Sequence, residues 1–285
     1  MKPFRRRMIP ERFTLQNGAI VSPLPVVEIA AASPSLDKSE DGGKQPAARP
    51  IRMAVPARET GGESIDFAGV TFVADTAGAL YWTQERLLVV ADLHLEKGSS
   101  FAARGSLLPP YDTPDTLARL GRLITRYAPR AVTALGDNFH DGNGAARLTP
   151  THRATLAALQ RGREWIWITG NHDPDPLEGI DGSFADSLAM GPLTFRHRAQ
   201  ADDISGEISG HLHPVAAVVA NGRGMRRRCF ASDGKRMVMP AFGAYAGGLN
   251  VRHRAFVELF GRAFTAHVMG DDRLYAIAAA QCMPD

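Results

Sequence analysis

Residues 86–94 read RLLVVADLH. A short apolar run of this kind suits a strand buried on both faces, and it stops abruptly at an acid and a histidine. The same figure recurs twice downstream. AVTAL (131–135) runs into Gly136-Asp137-Asn138, and WIWIT (165–169) runs into Gly170-Asn171-His172-Asp173. Two helical patterns lie between these runs. Residues 113–127 put Leu117, Leu120, Leu123 and Ile124 on one face, with Thr113 as N-cap and Pro114 at the first helical position. Residues 150–160 form the second, with Thr149 or Thr151 near its cap. Strand and helix in alternation predict an α/β domain. In open α/β sheets the loops leaving the carboxyl ends of the strands build the ligand site.

The flanks extend this pattern. Strands are expected at 70–74 and 80–82, then at 193–197, 206–209, 215–220, 237–241 and 255–260. No internal repeat is visible. Residues 1–60 have little periodicity, and SPSLDKSEDGGKQPAARP has the composition of a disordered segment. They read as a disordered leader or, with Met53 as the true initiator, a mis-called start. Residues 61–285 are then the folded domain.

Composition excludes other classes. With 44% hydrophobic and 22% charged residues in 285, whole-chain disorder and a fibrous protein are ruled out. No apolar stretch reaches the roughly 18 residues of a membrane span. The basic N-terminus lacks the apolar region of a secretory signal. Two cysteines, Cys229 and Cys282, make no disulfide framework, so a reducing cytoplasm is expected. The formal charge of +3 hints at nucleic acid. Ten of the basic residues against six acids lie in residues 1–60, and the remainder carries 23 against 24.

Asp92, His94, Asp137, Asn171, His197, His211 and His213 together make a ligand list. Their carboxylate, amide and imidazole groups suit Mn, Fe or Zn better than Ca. Seven ligands exceed one tetrahedral site and fit two ions bridged by a carboxylate. In Asp92-Leu93-His94 and His211-Leu212-His213, the strand period of two would put both side chains on one side. The glycines before Asp137, Asn171 and His211 would allow sharp turns.

The order D-x-H, G-D, G-N-H-D, H, G-H-x-H over about residues 65–260 resembles the calcineurin-like metallophosphoesterase superfamily. ADLHLEKGSSFAARGSLLPPYDT (91–113), LGDNFHD (135–141), TGNHD (169–173), GEISGHLHP (206–214) and PAFGAYAGGLN (240–250) are similar to its bacterial ligase-associated DNA-damage-response endonucleases. The resemblance implies a four-layer αββα sandwich of two mixed sheets. It implies two divalent ions, with Mn favoured and Fe or Zn as alternatives. Asp92, His94, Asp137 and His213 would hold the first ion. Asp137 would bridge to the second, completed by Asn171, His197 and His211. A metal-bridging hydroxide would be the nucleophile, with His172 the general acid. The implied partners are DNA and the ATP-dependent DNA ligase and helicase of a repair pathway. The superfamily's common GDxxD is here GDNFHD, which moves Asp141 one position. Asp141 and His140 are therefore expected around the ligands rather than among them.

Residues near these motifs admit plainer readings. Arg104 and Tyr111 could meet substrate, by phosphate recognition and by stacking on a base, or lie on a surface helix and a rigid turn. Arg226-Arg227-Arg228 reads as a solvated hairpin tip before it reads as a DNA contact. His152, His253 and His267 read as surface or local hydrogen-bonding groups. Trp165 and Trp167 belong to the core. Three functions stand: a metal-dependent phosphodiesterase acting on DNA, a small-molecule phosphodiesterase or pyrophosphohydrolase acting on a nucleotide or lipid-linked substrate, and a non-catalytic scaffold.

Overall fold

Leu87–Val90 exposes no side chain because it crosses the middle of a seven-stranded sheet. The computed structural model describes residues 14–16, 19–22, 62–200, 205–220 and 222–285. Two short strands come first, β1 (Thr14–Gln16) and β2 (Ala19–Ser22). The rest of residues 1–60, where the leader is expected, lies outside the described residues.

The first sheet follows the chain: β3 (Gly62–Phe67), β4 (Val70–Asp75), β5 (Ala79–Trp82), β6 (Leu87–Val90), β7 (Ala131–Leu135), β8 (Glu164–Ile168) and β9 (Ser183–Ala185). β3 to β6 pair antiparallel, and β6 to β9 pair parallel. A parallel step needs a crossover. Short α1 (Lys97–Ala103) and α2 (Asp112–Tyr127) supply the first, and α3 (Gly144–Arg147) and α4 (Pro150–Gln160) the second. α4 starts as expected, with the Thr149 hydroxyl accepting from the His152 amide and Pro150 at the first position. α2 begins before its expected cap. Its N-cap is Tyr111, because the Thr113 hydroxyl is engaged instead with Glu96.

The second sheet takes β10 (Ser187–Met190), β11 (Leu193–Arg196), β12 (Glu207–Ser209), β13 (Pro214–Ala220), β14 (Arg223–Ser232), β15 (Arg236–Val238) and β16 (Leu249–Asn250). β17 (Thr265–Met269) and β18 (Leu274–Ala278) extend it through β14, and β2 joins it beside β10. The expected strand at 255–260 is instead helix α5 (Arg254–Phe260). Phe256 and Phe260 stand four apart and are both buried, and His253 Nδ1 accepts from the Ala255 amide at 3.2 Å. Helical spacing and a cap thus outweigh the apparent strand pattern. Arg226–Arg228 are not a hairpin tip but lie within β14.

The pleat sorts side chains into layers. Leu87 and Val89 face a core between the sheets with Phe195, Ile208, Phe230 and Met237. Leu88 and Val90 face Leu117, Leu120 and Leu123 of α2 and Leu156 of α4. On the far side of the second sheet Ala231, Val238 and Ala266 pack against Phe256 and Phe260 of α5. The result is the four-layer αββα order, with two mixed sheets back to back. Each large side chain buried in these layers stabilises by about 1.5–3 kcal/mol. Among the described residues no helix is long and apolar enough to cross a membrane.

Candidate metal centre

β6, β7 and β8 run parallel, so their carboxyl ends meet at one edge of the first sheet. Beyond the strands, the His94 amide donates to the Asp137 carbonyl and the Leu95 amide to the Asn138 carbonyl, each at 2.9 Å. That pairing sets Asp92 and His94 beside Asp137. The second sheet supplies the other side, with His197 just past β11 and His211 and His213 just past β12. Asp92, His94, Asp137, His211 and His213 all hold left-handed backbone, with φ of 52°, 43°, 45°, 69° and 47°. The D-x-H and H-x-H pairs are therefore aimed by alternate left-handed residues after their strands end, not by strand pleat. Gly136 has φ of +78° and makes the turn expected of it. Gly170 and Gly210 serve close approach instead. A Cβ there would strike the Asp137 amide and carboxylate in one case and the Asp92 carboxylate in the other.

The side chains converge in two groups, each with ligand atoms within 4.8 Å of one another: Asp92, His94 and His213, and Asp137, His197 and His211. In the first, His94 Nε2 lies 3.3 Å from His213 Nε2, which lies 3.3 Å from Asp92 Oδ1. In the second, His197 Nε2 lies 3.3 Å from Asp137 Oδ1, 3.2 Å from His211 Nδ1 and 2.9 Å from the Asn171 amide oxygen. His94 Nε2 stands 3.9 Å from Asp137 Oδ2, which places Asp137 between the groups. All seven expected ligands thus come together.

This donor set fits divalent ions. The His197 Nδ1 proton goes to the Leu135 carbonyl at 2.9 Å. In the neutral ring Nε2 is then a lone pair, facing an amide oxygen, a carboxylate and a second imidazole nitrogen. Acceptors buried together without protons between them are costly unless a cation sits among them. Burial, then the neighbouring His213, His172, His140 and Lys97, push the His94 imidazole down to about 2, which keeps it neutral and able to ligate. Burial also lowers His213, but the hydrogen bond to Asp92 and the charges of Asp92 and Asp137 raise it overall.

His172 stands apart from both groups. Its Nδ1 donates to the His140 carbonyl at 2.8 Å, its amide donates to Asp137 Oδ1 at 2.9 Å, and its Nε2 lies 3.8 Å from Asp137 Oδ2. The His140 and His172 rings stack at 5.2 Å, and with His94 they form a third imidazole group. Burial, followed by Lys97, His172 and Arg104, lowers His140 to about 4. Asp141 joins no group. It pairs with Arg147 at 2.7 Å, and the bonds from Arg147, Ser100 and the Asn143 amide overcome its burial and hold it near 2. Arg104 is tied to Ser100 and lies 5.1 Å over Phe101. Tyr111 caps α2 and is 61% exposed.

One contributor escaped the sequence reading. Asp173 is buried and accepts from the Asn138 and Phe139 amides, fixing the turn after β7 to the turn after β8. Burial raises it to about 6. Lys97 donates to the Tyr245 carbonyl at 3.0 Å beside the histidines. The GNHD run held the signal for Asp173. Lys97, by its place after the first motif, reads in the sequence with Glu96 and Arg104 as a residue that could line a phosphate path.

Comparison with known proteins came to the same chemistry. Residues 85–217 match the calcineurin-like phosphoesterases. The nuclease MPE of Pseudomonas putida, a crystal structure, is 26% identical, with a TM-score of 0.57 over 76% of this chain and 100% of that one. Yfce, a phosphoesterase from E. coli, is 13% identical over 68% of this chain and 98% of that one, with a TM-score of only 0.31. No curated protein matches the chain in sequence. The family match over residues 85–217 spans the three strand-end motifs and both histidines of the H-x-H pair, and it supports a metal-dependent hydrolase of phosphoesters.

Proposed function

We infer that the chain hydrolyses phosphodiester bonds of DNA, with Mn the favoured ion and Asp92, His94, Asp137, Asn171, His197, His211 and His213 its holders. The observation that carries the reading is the convergence of seven donors from two sheets on one edge, in a chain that shares its fold with a nuclease. The ions, when bound, lower the pKa of water and offset charge on the phosphoryl oxygens. His172 does the rest of the proton work. Its ring is fixed through Nδ1 on the His140 carbonyl. Nε2 is left facing the centre, where in its protonated form it donates to the leaving oxygen. Lys97 adds positive charge beside the imidazoles. DNA ligase and helicase of a repair pathway go with this reading on motif resemblance, and a cytoplasmic setting goes with two cysteines that are both free.

A small phosphodiester is the second reading. It is favoured by the balance of 23 basic against 24 acidic residues over 61–285, where a nuclease usually offers a basic track. The two separate on a denaturing gel. Full-length protein with Mn meets end-labelled single-stranded, nicked and duplex DNA, with EDTA and His172→Ala as controls and a chromogenic diester run in parallel. Cleavage lost in both controls supports the nuclease. Intact DNA beside a live small-diester reaction overturns it.

A further inference from the structure

Charge that is scattered in the sequence comes together in the fold. Arg119, Arg122 and Arg126 stand three and four apart along one face of α2. Across from them Arg228 projects from β14, and between them lies a cavity of about 370 Å³. The turn Asp75–Ala77, between β4 and β5, closes its end. We propose that this arginine-lined groove is the track that holds phosphates of the nucleic-acid strand beside the one being hydrolysed. The proposal deepens the nuclease reading and rests on it.

Placement supports the track. Asp75 pairs with Ala79 at the start of β5, and Leu80 pairs with Val89 of β6. The groove therefore opens at the sheet edge that carries Asp92, two strand spacings or about 10 Å across. At about 3.4 Å per nucleotide of a stacked strand, that is some three nucleotides. One segment of chain separates the two places. Arg119 donates to the Phe242 carbonyl and Arg228 to the Gly243 carbonyl, each at 2.8 Å. The amides of Phe242 and Gly243 in turn donate to the carbonyls of Ala91 and Asp92, at 2.8 and 3.0 Å.

The charges are not balanced within the protein. Arg126 has Asp75 at 2.8 Å, and Asp271, which also lines the groove, has Arg227 at 3.1 Å. Among the described residues no carboxylate forms an ion pair with Arg119, Arg122 or Arg228. Asp115 offsets part of the charge on Arg119. Burial and the nearby Arg119 push Arg228 down to about 10, and burial with Arg122 lowers Arg119. Like charges held together with carbonyl acceptors alone are relieved when an anion enters. A phosphate oxygen is an acceptor that guanidinium geometry suits.

Arg122 is the residue to change, because it is exposed and has no ion pair to lose. Full-length Arg122→Glu and Arg122→Ala are compared with the wild type on single-stranded DNA and on the chromogenic diester, both with Mn. Arg122→Glu should lower the ratio of DNA to small-diester kcat/KM about tenfold, the effect of one charge-assisted contact. Arg122→Ala should flatten the plot of log affinity against log salt by about 0.7. Wild-type ratio and slope in both variants, with DNA still cut, would overturn the track and leave the nuclease reading standing. A wild type that hydrolyses the small diester but neither binds nor cuts DNA would overturn both.

Discussion

Left-handed backbone at a residue with a Cβ costs of order 1–3 kcal/mol and persists only where the surroundings over-determine it. Asp92, His94, Asp137, His211 and His213 all take it, and the cross-bonded loops and the close glycines are what hold them there. Asp137 and His172, joined by one hydrogen bond, should nonetheless fail differently. Asp137→Ala removes the carboxylate that lies between the two groups, so elemental analysis after dialysis should find bound Mn lost together with turnover. His172→Ala leaves both groups whole, so Mn content should stay near wild type while turnover falls about 10²- to 10⁴-fold. Two ions per chain retained in Asp137→Ala would mean that its carboxylate is not needed to hold either one.

Among the elements, α2 carries an unusual number of duties. It buries Leu117, Leu120 and Leu123, presents the arginines of the groove, and anchors the β4–β5 turn through Asp75. Asp75 is buried and accepts from the Ala77 amide at 2.8 Å, Arg126 at 2.8 Å and the Tyr127 hydroxyl at 2.7 Å. Asp75→Ala strands these donors and should destabilise the fold by about 1–3 kcal/mol, read as a lower urea midpoint at unchanged slope. An unchanged midpoint would mean that water replaces the carboxylate without loss. Elements such as β6, β7 and β8 were legible because each apolar run stops where the polar ligands begin. α5 was not, since Ala-Phe-Val-Glu-Leu-Phe fits either period and its His253 cap gives no strong signal in sequence. Arg226–Arg228 suggested a hairpin tip, whereas their backbone pairs with β13, with the Arg226 side chain exposed. The ligands were legible because each lies beside a recognisable strand end. The arginine groove was not, because Arg119 and Arg228 stand more than a hundred residues apart and nothing in either stretch points to the other.

At the scale of the whole molecule, the two sheets meet over an apolar core and again at the ligand set. Asp92, His94, Asp137 and Asn171 come from loops of the first, and His197, His211 and His213 from loops of the second. Ions held there bind the folded chain and not the unfolded one, so they raise stability by mass action, about 2.7 kcal/mol for free metal at a hundred times Kd. EDTA should therefore lower Tm and excess Mn restore it. A melting curve indifferent to both would mean that the donor set does not close on a metal. The same division has a consequence for synthesis. The first sheet from β3 onward is complete at Ala185, and β10 begins at Ser187. A nascent chain leaving the ribosome can assemble its N-terminal sheet early, yet it has no working centre until the turn carrying His211 and His213 has emerged and the second sheet has docked.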